Sequence, residues 1–336
     1  MIASLAKLID WLSIQRDFRR MPLIDGRSLR LEEALQFLKG ADFIPAESQP
    51  ARVEFNPDKS GLHFRFSTPR PSGFAENNVV YGRFYRCAGR WQERPAIILL
   101  HGGNMMRGGN DAIGYQFRQP LTAHCCNRAG FNAVTVELPY HFQRYPRQQG
   151  ALNNLDYLRL AQAAAQAVAE IRALIGWLLV EGCPAVALWG TSMGGRLAGL
   201  TVCHDRRLAA VVMAAPGVRS NRSFAEQIIW RRVRETVQRL CVEDEKLDIT
   251  SLNLAMIQPA IPKENILLIE AVHDLFTPKE PIEELWQTWG RPDIWRLSHG
   301  HISKSLVPGL TGRVLRWLSP HLNAPTAQAR PNDAAR

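Results

Sequence analysis

The stretch Pro184-Ala-Val-Ala-Leu-Trp-Gly190-Thr191-Ser192-Met193-Gly194 decides the reading of this chain. Its first half is a strand-like apolar run. Its second half is a G-x-S-x-G pattern, and Met193-Gly-Gly-Arg-Leu-Ala-Gly-Leu-Thr-Val-Cys-His204 continues it as a helix of small residues. A sharp strand-to-helix turn of this kind forces the serine into a strained backbone and pushes Oγ out over the sheet edge. It also aims the helix N-terminus at a reacting carbonyl. Glycines flank the turn because a side chain there would collide with the neighbouring strand or helix. Ser192 is therefore a candidate nucleophile.

Outward from the turn, the flanking sequence alternates. Ala96–Leu100, Phe131–Val136, Leu208–Ala214, Asn265–Ala271 and Asp293–Leu297 read as further strands, most of them apolar throughout. Helical stretches lie near 116–129 and from about Leu155 to Val180. Apolar strands alternating with helices predict an α/β fold, a mostly parallel central sheet covered by helices on both faces. Ala51–Phe55, His63–Ser67 and Val79–Arg86 alternate apolar and polar residues, which suits an antiparallel edge. The block from about 216 to 263 interrupts the alternation and reads as a helical lid between the sixth and seventh core strands. Residues 1–50 read as an N-terminal helical extension of two short amphipathic helices, the second opening at Ser28 and running to Lys39. Residues 51–320 form the main domain, and 321–336 read as a disordered tail.

Composition narrows the classes. The chain has 336 residues, 46% of them hydrophobic and 21% charged, with a formal net charge of +10. No apolar run approaches the ~20 residues of a membrane span, and Met1–Arg20 lacks the pattern of a secretory signal. The six cysteines show no metal-ligand spacing and read as reduced thiols of a cytoplasmic protein. The arginines are scattered, with no aromatic-interleaved basic motif, so nucleic acid is not an expected partner. No metal cluster, phosphate-binding loop or dinucleotide fingerprint points to a cofactor or metal. The N-terminal helix is expected to pack on the domain as a cover. Its Ile2, Leu5, Leu8, Ile9 and Leu12 also offer a face for peripheral membrane contact.

A serine hydroxyl is a poor nucleophile without a base to take its proton and a carboxylate to hold that base. On a parallel α/β sheet these come from later strand ends, in the order Ser, acid, His. Asp274 stands just past Ile266–Ala271, and His301 just past Asp293–Leu297. The oxyanion donors are expected to be the backbone N–H of Met193 and that of Gly103, in the loop His101-Gly-Gly-Asn104; Asn104 is the alternative to Gly103. His299 competes with His301, which is preferred because Gly300 lets the loop turn back over the site. Glu137 is an alternative or supporting acid at the correct sheet edge; Asp293 lies at the wrong one. His273 reads as a loop residue and His101 as a structural one. Arg107, Arg196 and the arginines at 219, 222, 231, 232 and 234 invite an anionic substrate, although acids such as Glu226 and Glu235 lie close by in sequence.

His101-Gly-Gly, Gly190-Thr-Ser-Met-Gly-Gly195, His273-Asp-Leu-Phe-Thr-Pro278 and Gly300-His-Ile-Ser303 resemble the α/β-hydrolase superfamily over roughly residues 75–320. Within it they are similar to the α/β-hydrolase domain-containing protein 18 type, with dienelactone-hydrolase-like and acyl-peptidase-like proteins more distant. The resemblance implies a serine hydrolase with a Ser192–Asp274–His301 triad acting on a small-molecule acyl ester, for that subgroup a lipid ester. Peptidase, thioesterase and acyltransferase chemistry use the same triad, and a non-catalytic binding protein that keeps the fold is the competing class. Oligomeric state is not legible.

Overall fold

Among the described residues, strands rich in β-branched and aliphatic residues assemble into one nine-stranded sheet of order β1-β2-β3-β5-β4-β6-β7-β8-β9. The structure, a computed structural model, describes residues 2–18, 30–40, 43–58, 61–103, 118–147, 157–218 and 253–323. β1 (Glu54–Asp58), β2 (Gly61–Ser67) and β3 (Val79–Tyr85) pair antiparallel and join the rest through β3 and β5 (Asn132–Val136). From β5 onward every pairing is parallel: β4 (Ala96–Leu100), β6 (Val186–Thr191), β7 (Ala210–Ala214), β8 (Ile266–Ala271) and β9 (Asp293–Leu297).

Each central strand is apolar on both sides because both faces are covered. On one face Ile98, Leu100, Leu188, Val211 and Met213 pack with α2 (Leu31–Lys39), α4 (Tyr157–Val180), α5 (Met193–His204) and α6 (Lys279–Thr288). On the other, Ile97, Leu99, Ala187 and Val212 pack with α3 (Gln119–Arg128) and α7 (Leu310–Asn323). The α/β sheet with an antiparallel edge is as the periodicity predicts.

Several boundaries differ from the sequence expectation. β1 starts at Glu54 rather than Ala51, because the Ala51 N–H is taken by the Ala173 carbonyl of α4 at 2.9 Å. Glu54 then pairs in register with Arg65, and the two side chains form an ion pair. α2 begins at Leu31, after Arg30 in a left-handed conformation (φ 45°), and Ser28, the expected opening residue, lies outside the described residues. The interval 216–263 falls between the seventh and eighth strands of the nine, because three antiparallel strands precede the parallel set. Of that interval, residues 219–252 lie outside the described residues, as do 324–336 of the tail.

The expectation that no stretch is long enough for a membrane span is also corrected. Leu158–Val180 meets that length and apolarity, and most of it is buried inside the protein. Its apolarity reflects its place under the sheet, where Ala161, Ala165, Val168, Ile171 and Leu174 are core residues. Its charged Glu170 and Arg172 are buried against partners.

α1 (Ile2–Phe18) packs inward through Ala6, Asp10 and Ile14. Leu5, Leu8, Trp11 and Leu12 of the same helix are exposed.

Candidate active site

β6 carries the chain to the parallel sheet's C-terminal edge and α5 begins one residue later, leaving Ser192 between them at φ 57°, ψ −117°. The strained turn is held from both sides. The Ser192 N–H donates to the Ala214 carbonyl of β7 at 2.8 Å, and the Arg196 N–H to the Ser192 carbonyl at 3.0 Å. The two motif glycines are required by close backbone approach. A Cβ on Gly190 would sit 2.1 Å from the Gly194 carbonyl oxygen, and one on Gly194 would sit 2.4 Å from that of Leu100. No backbone tolerates such distances, so strand, turn and helix pack only with glycine there.

Asp274 and His301 arrive from the loops after β8 and β9. His301 Nε2 lies 2.9 Å from Ser192 Oγ, and His301 Nδ1 lies 2.6 Å from Asp274 Oδ2. The His301 side chain is 7% exposed, and its ring packs beside the Phe276 ring, with centroids 4.8 Å apart. Asp274 Oδ1 accepts the N–H groups of Phe276 and Thr277 at 2.7 and 2.8 Å, and Oδ2 accepts the Thr277 hydroxyl at 2.8 Å. Burial alone would raise this carboxyl. The neighbouring His301, followed by Lys304 and the Thr277 N–H, outweighs burial and holds Asp274 below the usual aspartate value. A carboxylate so held stays ionised and fixes the imidazole with Nδ1 protonated and Nε2 free toward the serine.

The loop after β4 lies against the serine. A Cβ on Gly102 would come within 3.3 Å of Ser192 Cβ, and Gly103 follows with φ 135°, a region few side chains tolerate. His101 shapes this loop: its Nδ1 meets the Gly102 carbonyl at 2.7 Å, and its Nε2 accepts the Leu138 N–H at 3.1 Å. Burial, with His141 nearby, pulls His101 down to about 3, so the ring is neutral and acts as a brace. Asn104 lies outside the described residues.

The other candidates separate by position. His299 directs no hydrogen bond toward the serine, and its buried Nδ1 has no partner among the described residues. His273 meets Ser298 Oγ on the surface, and Asp293 accepts the Trp317 indole N–H at 2.7 Å, away from the site. Glu137 is committed to Gln143, accepting its backbone and side-chain N–H groups, each at 3.1 Å. Arg196 donates to the Gly217 carbonyl at 3.0 Å. Arg107, the other arginines proposed for an anionic substrate, Glu226 and Glu235 lie outside the described residues. Among the described residues no three His, Cys, Asp or Glu side chains gather as a metal site.

Two contacts at the site have no local sequence signature. Asp10 reaches from α1 to the loops of Asp274 and His301. Arg144 and Glu170 form a buried pair behind the Glu137 strand end. Lys7, Arg16 and Asp17 lie on the same helix, so nothing in the local sequence sets Asp10 apart.

The family model of alpha/beta hydrolase domain containing 18 matches residues 77–246, just over half of the chain. The chain belongs to this family. The match takes in the His101 loop and the Ser192 turn, while Asp274 and His301 lie beyond it. An uncharacterized protein of Mycobacterium tuberculosis is 28% identical over 238 residues, covering 68% of this chain and 54% of that protein. The chain thus spans about half the length of the curated relatives it matches. Among solved structures, acetyl xylan esterase 1 from Thermoanaerobacterium superposes with a TM-score of 0.59 at 12% identity, over 91% of this chain and 98% of that one. An acetyl xylan esterase from Paenibacillus gives 0.54 at 13%, over 90% and 98%. At such identity these likenesses speak to the fold, which for this family member is the alpha/beta hydrolase fold.

Proposed function

We propose that the chain is a serine hydrolase that cleaves acyl esters through an acyl-enzyme on Ser192. The observation that carries this reading is the unbroken hydrogen-bonded line from Ser192 Oγ through His301 to Asp274, at 2.9 and 2.6 Å. In this reading His301 Nε2 takes the Ser192 proton as Oγ bonds to the acyl carbon, and the carbonyl π electrons move to oxygen. The N–H groups of Met193 and Gly103 stabilise that oxyanion. The intermediate collapses, the ester C–O bond breaks, and His301 returns the proton to the departing alkoxide. Water, deprotonated by the same nitrogen, then releases the acid and free Ser192. Asp274 stays ionised throughout and stabilises the imidazolium.

The ester class is favoured because two solved structures of the same fold are acetyl xylan esterases by name. The same groups serve amide, thioester and acyl-transfer chemistry, which the substrate bound over Ser192 selects. The deciding experiment is labelling with a fluorophosphonate, which reacts with activated serines, alongside turnover of p-nitrophenyl acetate. Wild type is expected to be labelled and to turn the ester over, and Ser192→Ala to do neither. Folded wild type inert to both would leave the binding-protein reading in its place.

A further inference from the structure

Asp10, on the N-terminal helix, is wholly buried. Its Oδ2 accepts the backbone N–H of His301 at 2.7 Å and that of Leu275 at 3.2 Å, and its Oδ1 accepts the Ile302 N–H at 3.0 Å. One side chain, 291 residues from His301 in sequence, thus ties together the loop that carries Asp274 and the loop that carries His301.

The surrounding packing is built around this contact. A Cβ on Gly300 would stand 2.6 Å from Asp10 Oδ2 and 2.9 Å from the Ala6 carbonyl oxygen. Glycine at 300 therefore lets α1 press onto the turn. The turn is closed on itself by Ser303 Oγ, which accepts the Gly300 N–H at 2.9 Å. Behind it the buried Lys304 ammonium donates to the His301 carbonyl. Burial pulls this lysine down to about 8, against the opposing pull of Asp274 and then Asp10. The His301 backbone is thus gripped at its N–H by Asp10 and at its carbonyl by Lys304.

We propose that Asp10 is a positioning residue for the reaction: its carboxylate sets the spacing between the Asp274 and His301 loops, so that one imidazole reaches Asp274 and Ser192 at once. This rests on the serine-hydrolase reading above. The imidazole must meet two partners within hydrogen-bond distance, and neither loop is held by regular secondary structure at the residues concerned. Displacements of about 1 Å at such a site cost on the order of 10²-fold in rate. A carboxylate accepting three backbone N–H groups in a buried setting supplies a stiff, charge-assisted link. The N-terminal helix is on this account part of the machinery and not only a cover.

The test is Asp10→Asn in the full chain, which keeps the shape but replaces one acceptor oxygen with a donor facing N–H groups. With p-nitrophenyl acetate, kcat is expected to fall roughly 10- to 100-fold while KM moves less than about twofold. The His301 Nδ1–H proton resonance is expected far downfield in wild type, because of the 2.6 Å contact with Asp274, and further upfield in the variant. Lys7→Ala, on the exposed side of the same helix, should match wild type in all three. Asp10→Ser, which leaves room for water at the three donors, is to give the same pattern if the asparagine variant does not fold. Unchanged kcat and an unmoved resonance in a folded variant would overturn the proposal. So would unfolding of both variants, which would make Asp10 a purely structural residue. The resonance is read without substrate. Failure of the hydrolase reading, seen as wild type inert to ester and fluorophosphonate, is thereby distinguishable from failure of this one.

Discussion

Ser192 Oγ and His301 Nε2 stand 2.9 Å apart although 109 residues separate them in sequence. The contact exists because β6 and β9 deliver both loops to the same sheet edge, with β7 and β8 between them. The orientation of that imidazole depends on Asp274, which is held by two backbone N–H groups and the Thr277 hydroxyl.

Replacing Asp274 with Asn keeps this cradle but removes the charge that favours Nδ1–H and stabilises the imidazolium. The expected result is a kcat lower by about 10⁴-fold with KM little changed, read from steady-state ester turnover with circular dichroism to show the fold intact. Activity within tenfold of wild type would point to another acid.

Gly103→Ala places a side chain on a residue at φ 135°. The peptide must rotate away from that region, carrying its N–H with it. If that N–H is an oxyanion donor, kcat falls by about 10²–10³-fold while ester binding is kept. Comparing kcat and KM for one ester decides it, and a variant with kcat intact would exclude Gly103 as a donor.

Arg144 is fully buried and grips both Glu170 oxygens, at 2.8 and 2.6 Å, while donating to the carbonyls of Glu137 and Asn77. Arg144→Leu strands a buried carboxylate and should cost about 3–5 kcal/mol. Adding Glu170→Leu should recover much of that loss. Urea unfolding of the single and double variants measures it, and an additive double variant would argue against the coupling.

Glu270 is buried on β8, 3.3 Å from Arg296. Burial, then the nearby Glu283 carboxylate, pushes it up from 4.5 to about 7. Between these values the unfolded chain has lost the proton and the folded chain keeps it. Glu270 therefore costs nothing below the unfolded value, and the fold loses stability as pH rises through the window. Glu270→Gln should be more stable than wild type at pH 8, by at most about 3 kcal/mol, and this advantage should vanish toward pH 4.5. Parallel stability curves across that range would contradict it.

Much of the sheet was legible because its strands are buried on both faces, so apolar runs such as Ile97–Leu100 and Val211–Met213 stand out without any partner in view. The Ser192 turn was legible for a similar reason: its chemistry and its glycines sit within five residues. Strand ends were less so. β1 begins where Ala51 stops bonding to α4, a fact held by a helix more than a hundred residues away.

The sequence by itself determined the strand-turn-helix at Ser192, the alternation that builds a parallel sheet, and the short set of acids and histidines at strand ends, because these are properties of neighbouring residues. Only the tertiary structure placed His301, and not His299, against Ser192, and Asp274, and not Glu137, against His301. It alone brought Asp10 under the His301 loop and Glu170 onto Arg144. Those choices depend on distances of about 3 Å between segments far apart in the chain, and local pattern carries no information about which distant backbone a side chain will meet.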